Sequence, residues 1–290
     1  MLAKSFVHFC VGCCLLFLGE PLRAQEALSV ATPLERELSF RWSHGFLIVV
    51  EGQIGSLEKL NLILDTGATR SMISRKLADR LRLDRHASQV LNFNRTVSVE
   101  LAIAPVLRIG PIYKTNVQIL VGDLFRFSKF ADNVDGIIGM DLLDGNNFTV
   151  DFTARKVVFN AVVPIATIRG AKSQLNCMTV TIEIQRHPVT LILDTGVQGI
   201  LLFERRLYAR VPALRTTSPS AEASIGGSMR ARQVTVLDVH VGTRILRPDV
   251  LLIEAPPDEI LPGIDGFLGT GPLMARQVNF DFVTRTLRWE

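Results

Sequence analysis

Cysteine is scarce in this chain, and the usual signatures of metal, nucleotide and nucleic-acid chemistry are missing. Four Cys occur in 290 residues. Cys10, Cys13 and Cys14 lie in an apolar N-terminal stretch, so removal of that stretch leaves Cys177 alone and excludes an intramolecular disulfide. Cys177 reads as a buried apolar thiol. His187 is near it in sequence, but nothing around the pair suggests a nucleophile with its base. His44, His86, His187 and His240 have no metal-ligand spacing with one another or with Cys177, so no metal is expected. No Gly-x-Gly-x-x-Gly run or phosphate loop is present, and no nucleotide or other cofactor is inferred. The net charge is only +4, and no long Lys/Arg run interleaves with aromatics. Pairs such as Arg75-Lys76 and Arg205-Arg206 suit exposed helix faces, so the charge serves solubility and no nucleic-acid partner is expected.

What is present is a globular composition, 48% hydrophobic and 21% charged, enough for one large domain or two medium ones. The N-terminus has the layout of a secretory signal peptide over residues 1–24: Lys4, then a mostly apolar run from Phe6 to Leu18, then Leu22-Arg23-Ala24 at a plausible cleavage point. The apolar run is shorter than the ~20 residues of a spanning helix. Export to a periplasmic or extracellular location is expected. Contact with a membrane is expected only if the segment stays uncleaved, as an anchor over residues 5–19.

The chain repeats itself. Leu62-Ile63-Leu64-Asp65-Thr66-Gly67 recurs as Leu191-Ile192-Leu193-Asp194-Thr195-Gly196, 129 residues on (194 − 65). Asp135-Gly136-Ile137-Ile138-Gly139 recurs as Asp265-Gly266-Phe267-Leu268-Gly269, and Asp151-Phe152 as Asp281-Phe282, both 130 residues on (265 − 135 and 281 − 151). Matched landmarks in order at a near-constant offset indicate a duplicated unit, too long for a solenoid repeat. Within each unit the β-branched runs Phe46–Val50, Val117–Val121, Thr179–Ile184 and Val250–Ile253 predict strands. Leu62–Leu64 and Leu191–Leu193 predict short buried strands stopping at a turn. Helices are predicted over Arg75–Leu83 and Glu204–Val211. The expected division is an N-terminal segment over 25–44, a first lobe over 45–168, a polar join over 169–176 and a second lobe over 177–290.

An apolar strand ending in Asp-Thr-Gly sets a carboxylate at the edge of a core, and the glycine permits a tight turn and close backbone approach. One such motif is an ordinary strand-to-turn junction. Two copies can be brought face to face on a pseudo-two-fold axis. Two carboxyls a few ångströms apart cannot both ionise easily, so they share a proton and can serve as general acid and general base on a water.

In these motifs, and in the Ile137-Ile138-Gly139 and Phe267-Leu268-Gly269 that follow them, the chain resembles the aspartic peptidases from about Phe46 to its end. Asp135 to Leu143 is similar to the retropepsin branch, while two units in one chain resemble the pepsin arrangement. The resemblance implies a mainly β fold: two similar β-barrel-like lobes, a few short helices, and an active cleft between the lobes. It implies that Asp65 and Asp194 are catalytic, that Thr66 and Thr195 hydrogen-bond across the lobe interface, and that Gly67 and Gly196 let backbone amides approach the carboxylates. The implied activity is endopeptidase cleavage of a peptide or protein substrate by a monomer. A peptide-binding module without catalysis is the alternative.

Two departures matter. Pepsin-like members carry Ser or Thr after Asp-Thr-Gly, whereas Ala68 and Val197 stand here. Loss of a donor to the ionised form raises a carboxyl pKa, so an optimum nearer neutral is expected. Family members also cover the site with a glycine-containing hairpin. Ile225, Gly226 and Gly227 suit such a flap tip in the second unit, whereas Leu91–Arg95, the matching stretch of the first unit, has no glycine. Asp141 and Asp144 read as helix-start or turn residues, and Asp151 and Asp281 as structural.

Overall fold

The computed structural model describes residues 15–17, 36–92, 95–123, 134–161, 166–173, 175–211, 214, 231–236, 238–246, 248–254, 256 and 260–290. The first half runs β1 (Leu15–Phe17), β2 (Glu37–Ser43), β3 (Leu47–Ile54), β4 (Leu57–Leu64), β5 (Met72–Ser74), α1 (Arg75–Arg80), β6 (His86–Asn92), β7 (Arg95–Ile109), β8 (Ile112–Gly122), β9 (Gly136–Ile138), α2 (Met140–Leu143), β10 (Asn147–Asp151) and β11 (Lys156–Phe159). The second half runs β12 (Ala166–Lys172), β13 (Met178–Ile184), β14 (His187–Leu193), β15 (Ile200–Phe203), α3 (Glu204–Leu207), β16 (Ala231–Thr235), β17 (Val239–Val241), β18 (Arg244–Leu246), β19 (Asp249–Ile253), β20 (Gly266–Leu268), a 3₁₀ turn (Gly271–Leu273), β21 (Gln277–Asp281) and β22 (Thr286–Trp289). The chain is mainly β with a few short helices. No described helix is long and apolar enough to cross a membrane.

Both helices are shorter than the apolar spacing predicts. Ser74 caps α1, its Oγ accepting from the Leu77 amide, but Arg82 adopts a positive φ of 52° that ends the helical run. In the second half, α3 closes at Leu207 and the chain continues as turns.

The segments that position the two motifs are built alike. The burial of β4 alternates at first and then becomes continuous over Leu62–Leu64. The reason is a neighbour on each side: β3 runs antiparallel to β4, and β9 runs parallel, with Leu62, Ile63 and Leu64 opposite Gly136, Ile137 and Ile138. A strand flanked in this way inside a core reads as an unbroken apolar run. In the second half β14 has the same neighbours, antiparallel β13 and parallel β20, with Leu191–Leu193 opposite Gly266–Leu268. Asp135 and Asp265 fasten these pairs. Asp135 Oδ2 accepts from the Asn61 amide at 2.9 Å while its own amide donates to the Asn61 carbonyl. Asp265 does the same with Thr190.

A further sheet joins the lobes in the order β12–β22–β21–β10–β11–β2. At its centre Thr149 lies opposite Asn279, its own equivalent 130 residues on (279 − 149), so a pseudo-two-fold axis passes between them. Asn279 Nδ2 donates to Thr149 Oγ1 at 3.0 Å. Phe148 and Phe280 stack beside them, ring centroids 4.9 Å apart. The stretches expected to be a leading segment and a join therefore carry structure. β2 pairs with β3 and β11, while β12, which enters residues 169–176, pairs with β13 and β22. A polar, glycine-containing stretch reads locally as a loop, but its backbone groups are taken up by a ladder. Asp151 and Asp281 each accept two amides of the following turn.

Strands β6 and β7 form a hairpin, with Asn92 opposite Arg95 at its tip. Val90 and Val99 pack in a small core with Met72, Leu120, Ile137 and Ala68, the residue after Gly67. The free edge of β6 pairs with Leu15–Phe17. Ile225, Gly226 and Gly227 lie outside the described residues.

Candidate active site

Each Asp-Thr-Gly turn begins where its apolar strand ends. The Asp65 amide donates to the Ile138 carbonyl at 3.0 Å and the Asp194 amide to the Leu268 carbonyl at 2.9 Å, so each aspartate is held by the strand that crosses beneath it. The two turns then grip one another. The Thr66 amide donates to Thr195 Oγ1, and the Thr195 amide to Thr66 Oγ1, both at 3.1 Å. Each hydroxyl also donates across the interface, Thr66 Oγ1 to the Leu193 carbonyl at 2.8 Å and Thr195 Oγ1 to the Leu64 carbonyl at 2.6 Å. These four bonds are fully buried, so each satisfies groups that water cannot reach.

The grip brings the carboxyls together. Asp65 and Asp194 are 1% and 0% exposed. A Cβ on Gly67 would overlap the Asp194 carboxyl, so only a glycine lets the loops close this far. Asp65 Oδ1 accepts from the Gly67 amide at 2.9 Å and the Ala68 amide at 3.1 Å. Asp194 Oδ1 accepts from the Gly196 amide at 2.7 Å, but the Val197 amide donates to the Asp194 backbone carbonyl at 3.2 Å. The substitution of Val197 for alanine thus coincides with one amide fewer on the second carboxyl. The remaining oxygens, Asp65 Oδ2 and Asp194 Oδ2, are buried and accept no hydrogen bond from an N–H or hydroxyl of the described residues.

Burial, and then the charge of Asp194, hold the Asp65 carboxyl well above the ordinary carboxylate range, against the pull of its two amides. Burial pushes Asp194 up to about 6, opposed by its hydrogen bonds with Asp65 and Gly196. Cys177 is fully buried. Its thiol lies 3.8 Å from the Gly67 carbonyl, and burial together with the neighbouring carboxyls pushes its pKa up. It is a packed thiol with no thiolate character. Among the described residues no group of three His, Cys, Asp or Glu could hold a metal ion.

The sequence model of the family described as aspartyl protease matches residues 50–142. The crystal structure of aspartic proteinase from Irpex lacteus superposes with a TM-score of 0.54 at 13% identity, covering 87% of this chain and 95% of that one. No curated protein matches the chain in sequence. The fold is that of an aspartic proteinase. The family match lies in the first of the two duplicated units, and the superposition shows the fold over most of the chain.

In the aspartic-proteinase frame, the structure brings together Asp65, Thr66, Gly67, Asp194, Thr195 and Gly196. Asp141 lies in the first turn of α2, as a helix-start residue should, but sequence reasoning missed its contact with Ser71. The Ser71 amide and hydroxyl both donate to the Asp141 carboxylate, at 2.8 and 2.7 Å. The available signal was weak: an acidic residue directly after Ile137-Ile138-Gly139-Met140, and a hydroxyl six residues after Asp65 (71 − 65).

Proposed function

We propose that the protein is an aspartic endopeptidase that hydrolyses peptide or protein substrates with a water activated by Asp65 and Asp194. The observation that carries this reading is the pair of buried carboxyls, held face to face by Thr66 and Thr195 and both raised above the ordinary range. Such a pair keeps one proton. The ionised member takes a proton from water as the oxygen attacks the peptide carbonyl carbon, and the protonated member donates to the carbonyl oxygen. Collapse of the tetrahedral intermediate breaks the C–N bond; the leaving amine takes up a proton from the protonated carboxyl while the ionised one recovers a proton from a gem-diol hydroxyl, so the pair again holds one. Both half-sites lie in one chain, so activity needs no dimer and does not fall away on dilution. The raised pKa values of the pair favour an optimum nearer neutral than pepsin's. The N-terminal layout supports export, and sequencing the N-terminus of the secreted product tests that point.

The test of the reaction is a peptide-library digest by wild-type protein beside Asp65→Asn and Asp194→Asn, with folding checked by circular dichroism. Cleavage is expected from wild type alone. Cleavage that survives both substitutions would sink the assignment. A folded wild type that cuts nothing from acid to alkaline pH would favour the peptide-binding module.

A further inference from the structure

Ser71 closes the loop that carries Asp65, and its contacts have no counterpart in the second lobe. The loop leaves β4 at Leu64 and enters β5 at Met72. Ser71 is fully buried. Its amide donates to Asp141 Oδ2 and its hydroxyl to Asp141 Oδ1, so one carboxylate holds both donors of one residue. The same hydroxyl accepts from the Gly139 amide at 3.1 Å. The helix that carries Asp141 is pinned in turn. The Met140 amide donates to the Ala68 carbonyl at 2.8 Å, and Lys114 Nζ donates to the Asp141 carbonyl at 2.8 Å. Ala68 is therefore fastened through its carbonyl to Met140, next to the residue that fastens Ser71. At the matching places of the second lobe stand Ile200 and Gly271, neither of which can form this clamp. There the loop is tied by backbone, the Gly269 amide donating to the Gly199 carbonyl at 2.8 Å. The lobe without the clamp is also the lobe whose Val197 amide misses its carboxylate.

We propose that Ser71 and Asp141 are positioning residues for Asp65, forming a clamp in the first lobe alone that keeps the Ala68 amide on the Asp65 carboxylate. The proposal rests on the reading of Asp65 as catalytic. Two bonds to an ionised acceptor are stronger than their neutral counterparts. Burial raises the Asp141 carboxyl, while the Ser71 bonds and the charges of Arg70 and Lys114 favour its ionised form. Asp65 faces Asp194 from the other lobe and Cys177. Loss of the Ala68 donor leaves the ionised form of Asp65 less stabilised against these neighbours, so its proton is held to higher pH.

Ser71→Ala, Ser71→Thr and Asp141→Asn test the clamp, with Asp151→Asn as a control that disturbs a turn cap and a bond from Gln277 on the far sheet. Ser71→Ala and Asp141→Asn are expected to lower kcat roughly ten- to a hundredfold with KM within about twofold, and to move the acidic limb of the pH profile upward. Ser71→Thr, which keeps the hydroxyl, restores both, and Asp151→Asn loses stability without moving the limb. Amide exchange of residues 66–71 is expected to be about tenfold faster in Ser71→Ala. That readout needs no activity, so it judges the clamp even if the protein cleaves nothing. If Ser71→Ala does not fold, Asp141→Asn carries the same measurements. An unmoved acidic limb, unchanged exchange over 66–71, or an equal kcat loss in Asp151→Asn overturns the proposal.

Discussion

Replacing Asp194 by asparagine should make the protein more stable at neutral pH while abolishing cleavage. The Asp194 carboxyl is raised from the ordinary 3.8 to about 6, chiefly by burial. Its folded pKa therefore lies above its unfolded one, and between those values the native state holds more proton than the unfolded chain. Stability then falls as pH rises. It is intact below about pH 4 and fully diminished once the pH has passed about 6. The displacement corresponds to about 3 kcal/mol at most. The asparagine side chain would still accept from the Gly196 amide, and its Nδ2 can donate toward Asp65, relieving the upward push on that carboxyl as well. Urea denaturation of wild type and Asp194→Asn at a series of pH values from about 3.5 to 8 measures the difference directly. The variant should gain about 3 kcal/mol near pH 8, or roughly 5 to 10 °C in Tm, and the gain should vanish at the acid end. A difference that is flat with pH, or a variant less stable than wild type near pH 8, would refute the account of the site as two carboxyls buried against their own ionisation.

Thr66→Val removes a hydroxyl that donates to the Leu193 carbonyl and accepts from the Thr195 amide. Two buried groups lose partners, so about 2–4 kcal/mol should be lost. Thr195→Val should cost about as much, the double variant less than the sum, and Thr66→Ser should be nearly neutral; equal additivity in a double-mutant cycle would argue against a reciprocal grip. Asp144 spans the lobes, with Oδ2 at 2.8 Å from Lys172 Nζ and Oδ1 at 2.6 Å from an Arg285 nitrogen. Burial raises its pKa, but the bonds to Lys172 and Arg285 outweigh this and lower it overall. Its contribution is thus present above the ordinary carboxylate value and fades as pH falls through the depressed one. With Lys172 41% exposed, Asp144→Asn should cost only about 1 kcal/mol at pH 7, and the loss should shrink in high salt.

The sequence carried the site's symmetric part well. Asp65, Thr66, Asp194 and Thr195 stand out because an apolar strand, a turn and a crossing strand recur in the same order, and that order is what packs β9 under one turn and β20 under the other. The mainly β architecture follows from the same runs. The asymmetric part was hidden. Ser71 and Asp141 meet across 70 residues of chain, and an Asp in the first turn of a short helix reads locally as a helix starter. Likewise nothing in Val197 itself says that its amide turns to a backbone carbonyl. β12 escaped notice because Gly170 and its polar neighbours resemble a loop, while the partners that make them a strand, β13 and β22, are set by tertiary pairing.

The two lobes therefore share a backbone plan and differ in how each holds its aspartate. The pseudo-two-fold axis through Thr149 and Asn279 delivers two equivalent turns to one point, and the threonine grip fixes them there. Symmetry alone would leave two carboxyls of equal affinity for a single proton. Here Asp65 has two amides and a loop clamped by Asp141, whereas Asp194 has one amide and a loop tied by backbone. General acid–base work needs the two members to differ at the moment of reaction. The differences in backbone donors supply a fixed bias before any substrate arrives, with no change in the identity of either carboxyl side chain.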